Sequence, residues 1–255
     1  KEDYDRAIED YDEAIRLEPD YVEVYANRGL VYLHKGNYDR AIENYNEAIR
    51  LDRNFAEVYI NRGMTYLHKG NYDRAIEDLN EAIRLDRNSA EAYNGIGLIH
   101  TYSGQYKKAV NRYYKRAYEI EMRRDGKASL QTLYNIAIAQ ARRHGDWRKA
   151  RREIDKARKP HEEARRSNKK TEQGNAYYAL GGLNAVVGDN DHALQYLEQA
   201  ISLQPQAKSW ARQDVAWLDL RDDPRFIALV EAWGASHRVE SVHDRQHMIA
   251  AGVEM

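Results

Sequence analysis

Residues 22–55 and 56–89 are one sequence written twice, identical at 27 of 34 positions. Gly29 and Gly63 stand 34 residues apart, as do Tyr32 and Tyr66, Gly36 and Gly70, Tyr38 and Tyr72, Ala41 and Ala75, and Ala48 and Ala82. A period of this length predicts stacked supersecondary units, none of which can bury its apolar face alone. The length of 255 residues would suit one or two ordinary domains, but a repeat array removes the meaning from that count.

Each unit is predicted to hold two helices. The first, over 22–35 or 56–69, ends in His-Lys-Gly-Asn, where Gly36 or Gly70 can take the positive φ of a helix C-cap. The second starts near Asp39 or Asp73 and ends with Arg50 or Arg84, so its charges oppose the helix dipole. Gly29, Ala41 and Ala48, with their equivalents, are small enough for two backbones to approach closely. Arg28 and Arg62 fall on a half-buried side and need a polar partner on a second helix, such as Asp10, Asn44 or Asp78.

The rest of the chain follows with decreasing regularity. Residues 1–21 carry the spacing of a second helix alone, with Tyr4, Ala7, Tyr11 and Ala14 before Pro19. That half repeat predicts an open apolar face, to be met by an upstream repeat, a cap or a self-contact. A third repeat spans 90–120 through Tyr93, Gly97, Gly104, Tyr106 and Ala109, and then slips: Tyr114 and Ala117 stand one residue late. Degenerate units occupy 121–206, one around Tyr134, Gly145, Trp147 and Ala157 with Ile138 in place of the packing glycine, the other around Tyr177, Gly181 and Gly188. A polar connection is expected between them near 160–173, capping helices over 207–233, and a polar tail over 234–255.

The order Tyr25, Gly29, Tyr32, Gly36, Tyr38, Ala41, Tyr45, Ala48, repeated at Tyr59, Gly63, Tyr66, Gly70, Tyr72, Ala75, Leu79, Ala82, resembles the tetratricopeptide-repeat family. The resemblance implies an all-α, right-handed solenoid of helix-turn-helix units, either a bacterial-type repeat protein or the repeat region of a larger one. The string from Asp219 to Phe226 resembles the closing segment of such regions on bacterial signalling proteins. In the family, first helices line a concave groove that holds a peptide or helix. The matching residues here are Glu23, Ala26, Leu30, Leu33 and His34; Glu57, Ile60, Met64, Leu67 and His68; and Glu91, Asn94, Leu98, Thr101 and Tyr102. They form an expected apolar strip with an acidic rim, suited to an amphipathic helix or an apolar peptide carrying basic residues. The Lys, Asn and Arg with which some members grip a C-terminal carboxylate are missing from these positions.

Chemistry is harder to find. Cysteine is absent, which removes disulfides and thiol nucleophiles and fits a reducing, cytoplasmic setting. There is no Gly-rich phosphate loop, no Gly-x-Ser-x-Gly elbow and no His-Glu-x-x-His. His161-Glu162-Glu163 lacks a second histidine at ligand spacing, and His237, His243 and His247 lack a fixed third ligand. The sequence therefore predicts no enzyme, no cofactor, no metal and no membrane span.

Charge is the remaining signal. Residues 1–100 have a balance of −8, residues 101–170 of +13 and residues 171–255 of −6. The basic segment holds Lys107, Lys108, Arg112, Lys115, Arg116, Arg142, Arg143, Arg148, Lys149, Arg151 and Arg152, with aromatic residues interleaved. Such a surface can track a phosphate backbone or meet an acidic protein. The expected function is a non-catalytic scaffold holding a protein segment in the groove. A regulatory module of a signalling protein and a binder of nucleic acid or an acidic partner through 107–152 are the alternatives.

Overall fold

The computed structural model describes residues 2–231, and in them every regular element is helical. The expected tail and the three tail histidines lie outside the described residues. The chain divides into two compact units, one of residues 1–103 and 111–127, the other of residues 104–110 and those from 128 onward.

The first unit opens with α1 (Glu2–Leu17), then α2 (Val22–His34), α3 (Tyr38–Leu51), α4 (Ala56–His68), α5 (Tyr72–Leu85) and α6 (Ala90–Tyr102). Local chemistry sets these boundaries. Gly36, Gly70 and Gly104 take φ of +75°, +74° and +70°, the left-handed conformation that closes a helix at little cost for glycine. Asn37 and Asn71 then cap the next helix, each side-chain oxygen accepting from the backbone N–H of Arg40 or Arg74. Packing is by small residues against large ones. Ala41, Tyr45 and Ala48 on α3 are fully buried, as are Ala75, Leu79 and Ala82 on α5. A Cβ at Gly29 would lie 2.7 Å from the Tyr45 ring, and one at Gly63 would lie 3.0 Å from Leu79 Cγ.

The slip in the third repeat has a structural form. After α7 (Tyr106–Lys108) the backbone is π-helical over Ala109–Tyr114, and α8 (Lys115–Asp125) follows. A π turn accommodates one residue more than an α turn, so it absorbs the inserted residue inside a helix instead of a loop. Tyr114 thereby faces Gly97 as Tyr45 faces Gly29: it is fully buried, and a Cβ on Gly97 would enter its ring. Its hydroxyl lies 2.9 Å from Thr101 Oγ1, which donates to the Gly97 carbonyl.

The second unit contains α9 (Leu130–His144), a 3-10 turn at Trp147–Ala150, α10 (Arg151–Ala164), α11 (Lys170–Val187), α12 (Asn190–Leu203), α13 (Ala207–Gln213), a second 3-10 turn at Val215–Leu220 and α14 (Pro224–Glu231). The polar connection expected over 160–173 is shorter. Pro160 lies inside α10, which runs to Ala164, and α11 begins at Lys170. The helix carries on because Ala157 and His161 are buried on one face, and the His161 ring bonds back to the Ala157 carbonyl at 2.8 Å. Trp217, fully buried, occupies the close approach at Gly181, where a Cβ would lie 2.7 Å from the indole.

Candidate functional site

The first helices α2, α4 and α6 belong to one unit, so the expected groove can be read residue by residue. Glu23, Glu57 and Glu91 are exposed, one per repeat at the first turn of each helix. Partial burial and the neighbouring Glu57 carboxylate push the Glu91 pKa up. The Glu57 carboxylate therefore lies near enough to disfavour the ionisation of Glu91.

The apolar strip is narrower than the sequence suggests. Ala26, Ile60 and Leu67 are buried core residues, and Leu33, Met64 and Leu98 are half-buried against the two core clusters. Leu30 is also half-buried, so none of the exposed large apolar side chains comes from the groove set. Helices packed between neighbours on two sides need a wide apolar face for the core itself, which leaves little for a ligand. Thr101 is likewise buried, held by Tyr114 and the Gly97 carbonyl. His34 stacks on Tyr4 at 6.3 Å and His68 on Tyr38 at 5.8 Å. Burial lowers the His68 pKa, so that ring is neutral near pH 7. Asn94 and Tyr102 are half-buried.

Arg28 and Arg62 find the polar partners that their position demands. Arg28 Nε donates to Asn44 Oδ1 at 2.7 Å, and its Nη1 pairs with Asp12 of the preceding helix. Arg62 donates to Asp78 at 2.7 and 2.8 Å and to Asn46 Oδ1 at 2.6 Å. Each guanidinium thus receives one carboxylate and one amide, from the second helices on either side of it. Asp10, the third candidate partner, is not used. Around Arg28 lies an open pocket of about 390 Å3 lined by Asp12, Tyr25, Tyr32, Arg40, Glu43, Asn44 and Glu47.

The basic segment is shared between the units. Arg112, Lys115 and Arg116 lie in the first, where Arg112 stands over the Tyr113 ring at 5.5 Å and Arg116 over Tyr93 at 6.0 Å. Lys107, Lys108, Arg143, Arg148, Lys149, Arg151 and Arg152 are exposed in the second. Arg142 is not part of a free basic surface: it bonds Asp219 at 2.8 Å and the Ala216 carbonyl at 3.0 Å. Arg148 stands over one face of the Trp147 ring at 5.5 Å.

One buried polar centre escaped the sequence reading. Asp214 Oδ2 accepts from Tyr134 Oη at 2.7 Å and Tyr178 Oη at 3.1 Å, and Oδ1 accepts from the Ala216 N–H at 2.9 Å. Burial raises its pKa against these donors and the nearby Arg142 charge. Trp217 Nε1 lies 3.3 Å from Tyr178 Oη, its acceptor. The centre ties the second 3-10 turn to α9 and α11. Among the described residues no group of three or more His, Cys, Asp or Glu is placed to hold a metal, and no helix is long and apolar enough to cross a membrane.

Paired antiparallel helices at a 34-residue period, closed by positive-φ glycines, define a helical-repeat protein. Family models of the tetratricopeptide repeat match residues 1–36, 31–70, 56–89 and 174–207. This chain is a tetratricopeptide-repeat protein. Among solved structures, the anaphase-promoting-complex hetero-tetramer Cut9-Hcn1 is similar over 89% of this chain, with a TM-score of 0.65 and 16% identity. The chain spans 42% of that structure's chain. YrrB, described as a repeat protein with an unusual peptide-binding site, is similar over 79% of this chain and 97% of its own, with a TM-score of 0.44 and 21% identity. Comparison with the sequences of curated proteins gave no match.

Proposed function

We propose that this protein is a non-catalytic scaffold that holds a basic protein segment along α2, α4 and α6. The supporting observation is the row Glu23, Glu57 and Glu91, repeated once per unit and with no ion pair among the described residues, with Glu91 raised in pKa by burial and by Glu57. A Lys- or Arg-bearing segment crossing the row relieves that repulsion. Between the glutamates the half-buried Leu30, Met64 and Leu98 differ among repeats, while the glycines and alanines beneath them repeat. Such a surface offers register as well as charge. Because the repeats are already packed, the protein side loses little conformational entropy on binding.

The experiment is affinity capture with the intact chain and with a Glu23→Lys, Glu57→Lys, Glu91→Lys variant of unchanged circular dichroism. Proteins bearing a basic segment are expected on the first bait and absent from the second. Equal capture by both overturns the reading. A third bait with Arg143→Glu, Lys149→Glu and Arg152→Glu addresses the alternative. Nucleic acid lost only from that bait, with steep salt dependence, establishes binding through the basic segment instead.

A further inference from the structure

The outer face of α10 carries a line of cations. Arg152, Lys159 and Arg166 stand seven residues apart on the helix and the turn that closes it, exposed and with no ion pair among the described residues. Seven residues make nearly two full turns, so the three share one side, opposite the buried Ile154, Ala157 and His161. Each step also advances about 10 Å along the axis. The carboxylates of α10 do not neutralise the line. Asp155 pairs with Arg151 at 3.7 Å and Glu162 with Arg165, which leaves Glu163 as its one exposed carboxylate without an ion pair among the described residues. Two other basic triads have the same spacing. Arg151, Arg158 and Arg165 are engaged within the unit, by Asp155, Asn184 and Glu162. Arg142, Lys149 and Lys156 do not share one helix, and Arg142 is held by Asp219.

The first unit repeats a matching interval. Glu23, Glu57 and Glu91 recur once per first helix, exposed and likewise without an ion pair among the described residues. α4 packs against both α2 and α6, and helices in contact lie about 8–10 Å apart. We propose that this row docks the outer face of α10 from a second copy of the chain, with Arg152, Lys159 and Arg166 each set on one glutamate. The inference rests on the reading of α2, α4 and α6 as the seat of a basic segment, and it names that segment. Charge complementarity supports it at the level of whole segments too, since residues 1–100 have a balance of −8 and residues 101–170 of +13. The two surfaces differ, so every copy offers one of each, and the contact continues from copy to copy until a ring closes or a filament grows.

The test is sedimentation velocity of the full chain from about 1 to 200 μM. Association that grows with concentration and disperses in about 0.5 M salt is expected. Two neutralised variants follow, Glu23→Gln, Glu57→Gln, Glu91→Gln in one and Arg152→Gln, Lys159→Gln, Arg166→Gln in the other. Each is expected to weaken association about tenfold or more. Their equimolar mixture is expected to form a dimer that grows no further, because each pair then holds one intact row and one intact line of cations. All six residues are exposed, so both variants keep the parent fold, which circular dichroism checks. A parent that stays monomeric throughout overturns the inference. So does association that either variant leaves intact, or a mixture that stays monomeric. The reading of the row as the seat of a basic segment fails separately, when capture of basic proteins is indifferent to the three glutamates.

Discussion

Arg62 and Asp78 form a two-pronged ion pair, Nε and Nη2 reaching the carboxylate at 2.8 and 2.7 Å, with side chains only 17% and 9% exposed. One repeat earlier the same arginine position, Arg28, faces the neutral Asn44 and draws its negative charge from exposed Asp12 instead.

The two sites are therefore unequal in what they lose. Removing one member of a buried pair strands the other charge, so Asp78→Ala is expected to cost about 3 kcal/mol. Asn44→Ala removes a single hydrogen bond and is expected to cost about 1.5 kcal/mol. The double replacement Arg62→Leu, Asp78→Leu should lie nearer the parent than Asp78→Ala does. Urea unfolding midpoints followed by circular dichroism rank the variants, and Asn44→Ala proving the more damaging would refute the ranking.

Gly97 and Gly36 separate two reasons for being glycine. At Gly97 the backbone is helical and a methyl group would enter the Tyr114 ring, so Gly97→Ala is expected to lose about 2 kcal/mol or more. At Gly36 there is open space but a φ of +75°, and Gly36→Ala is expected to lose only about 1 kcal/mol. Shrinking the ring by Tyr114→Leu in the Gly97→Ala background should recover part of the first loss and would do nothing for the second. Thermal unfolding of the four variants makes the comparison.

Deletion of exposed Asn111 tests whether the π turn is one added residue. With it gone, the helix from Tyr106 can continue as α-helix and still bring Tyr114 to Gly97. The deletion is expected to change stability by less than about 1 kcal/mol and to retain the cost of Tyr114→Phe, which removes the bond to Thr101. A deletion that unfolds the first unit in hydrogen exchange, or that makes Tyr114→Phe silent, contradicts this account.

Asp214 predicts a pH dependence with a definite sign. Its folded pKa is raised by burial, so the folded state holds the proton more tightly than the unfolded chain. Its contribution to stability is fully present below the unfolded value of about 3.9 and is lost as pH rises through the raised value. The stability of the parent relative to Asp214→Asn should therefore fall with rising pH across that window and then level off. Urea titrations from pH 3.5 upward measure it, and a difference that grows with pH reverses the sign. Asp214→Ala, which leaves two tyrosine hydroxyls without an acceptor, is expected to cost about 3 kcal/mol at pH 3.5 and less as pH rises through the same window.

The parts of this fold legible in the sequence are those fixed by local chemistry repeated at constant spacing. Gly36, Asn37 and Gly29 act within one unit, and the late Tyr114 announced an inserted residue before any helix was drawn. Arg28 and Arg62 disclosed a need for partners, though only the structure shows that Asp12 and Asn46 share in meeting it. Asp214 was not legible because its partners Tyr134 and Tyr178 lie 80 and 36 residues away and outside the repeat period. Arg142 misled for the same reason: its counter-charge Asp219 is 77 residues on, so by composition it read as free. The groove was overdrawn because an apolar residue on a first helix serves core and surface alike, and periodicity does not distinguish them.

Alternation of charge along the arginines makes the copy number of the repeat a quantity the protein can sense. Tandem segments of such close similarity invite the loss or gain of a whole unit by unequal exchange between neighbours. Excising residues 22–55 would set Arg62 between Asp12 and Asp78, one cation facing two carboxylates. Duplicating the same residues would create an arginine flanked by Asn46 and Asn44, with no carboxylate at all. Either event keeps the period, the glycines and the helix caps, yet leaves an unbalanced charge in a half-buried site. Selection against miscounted arrays can therefore act through electrostatics alone, before any partner is bound.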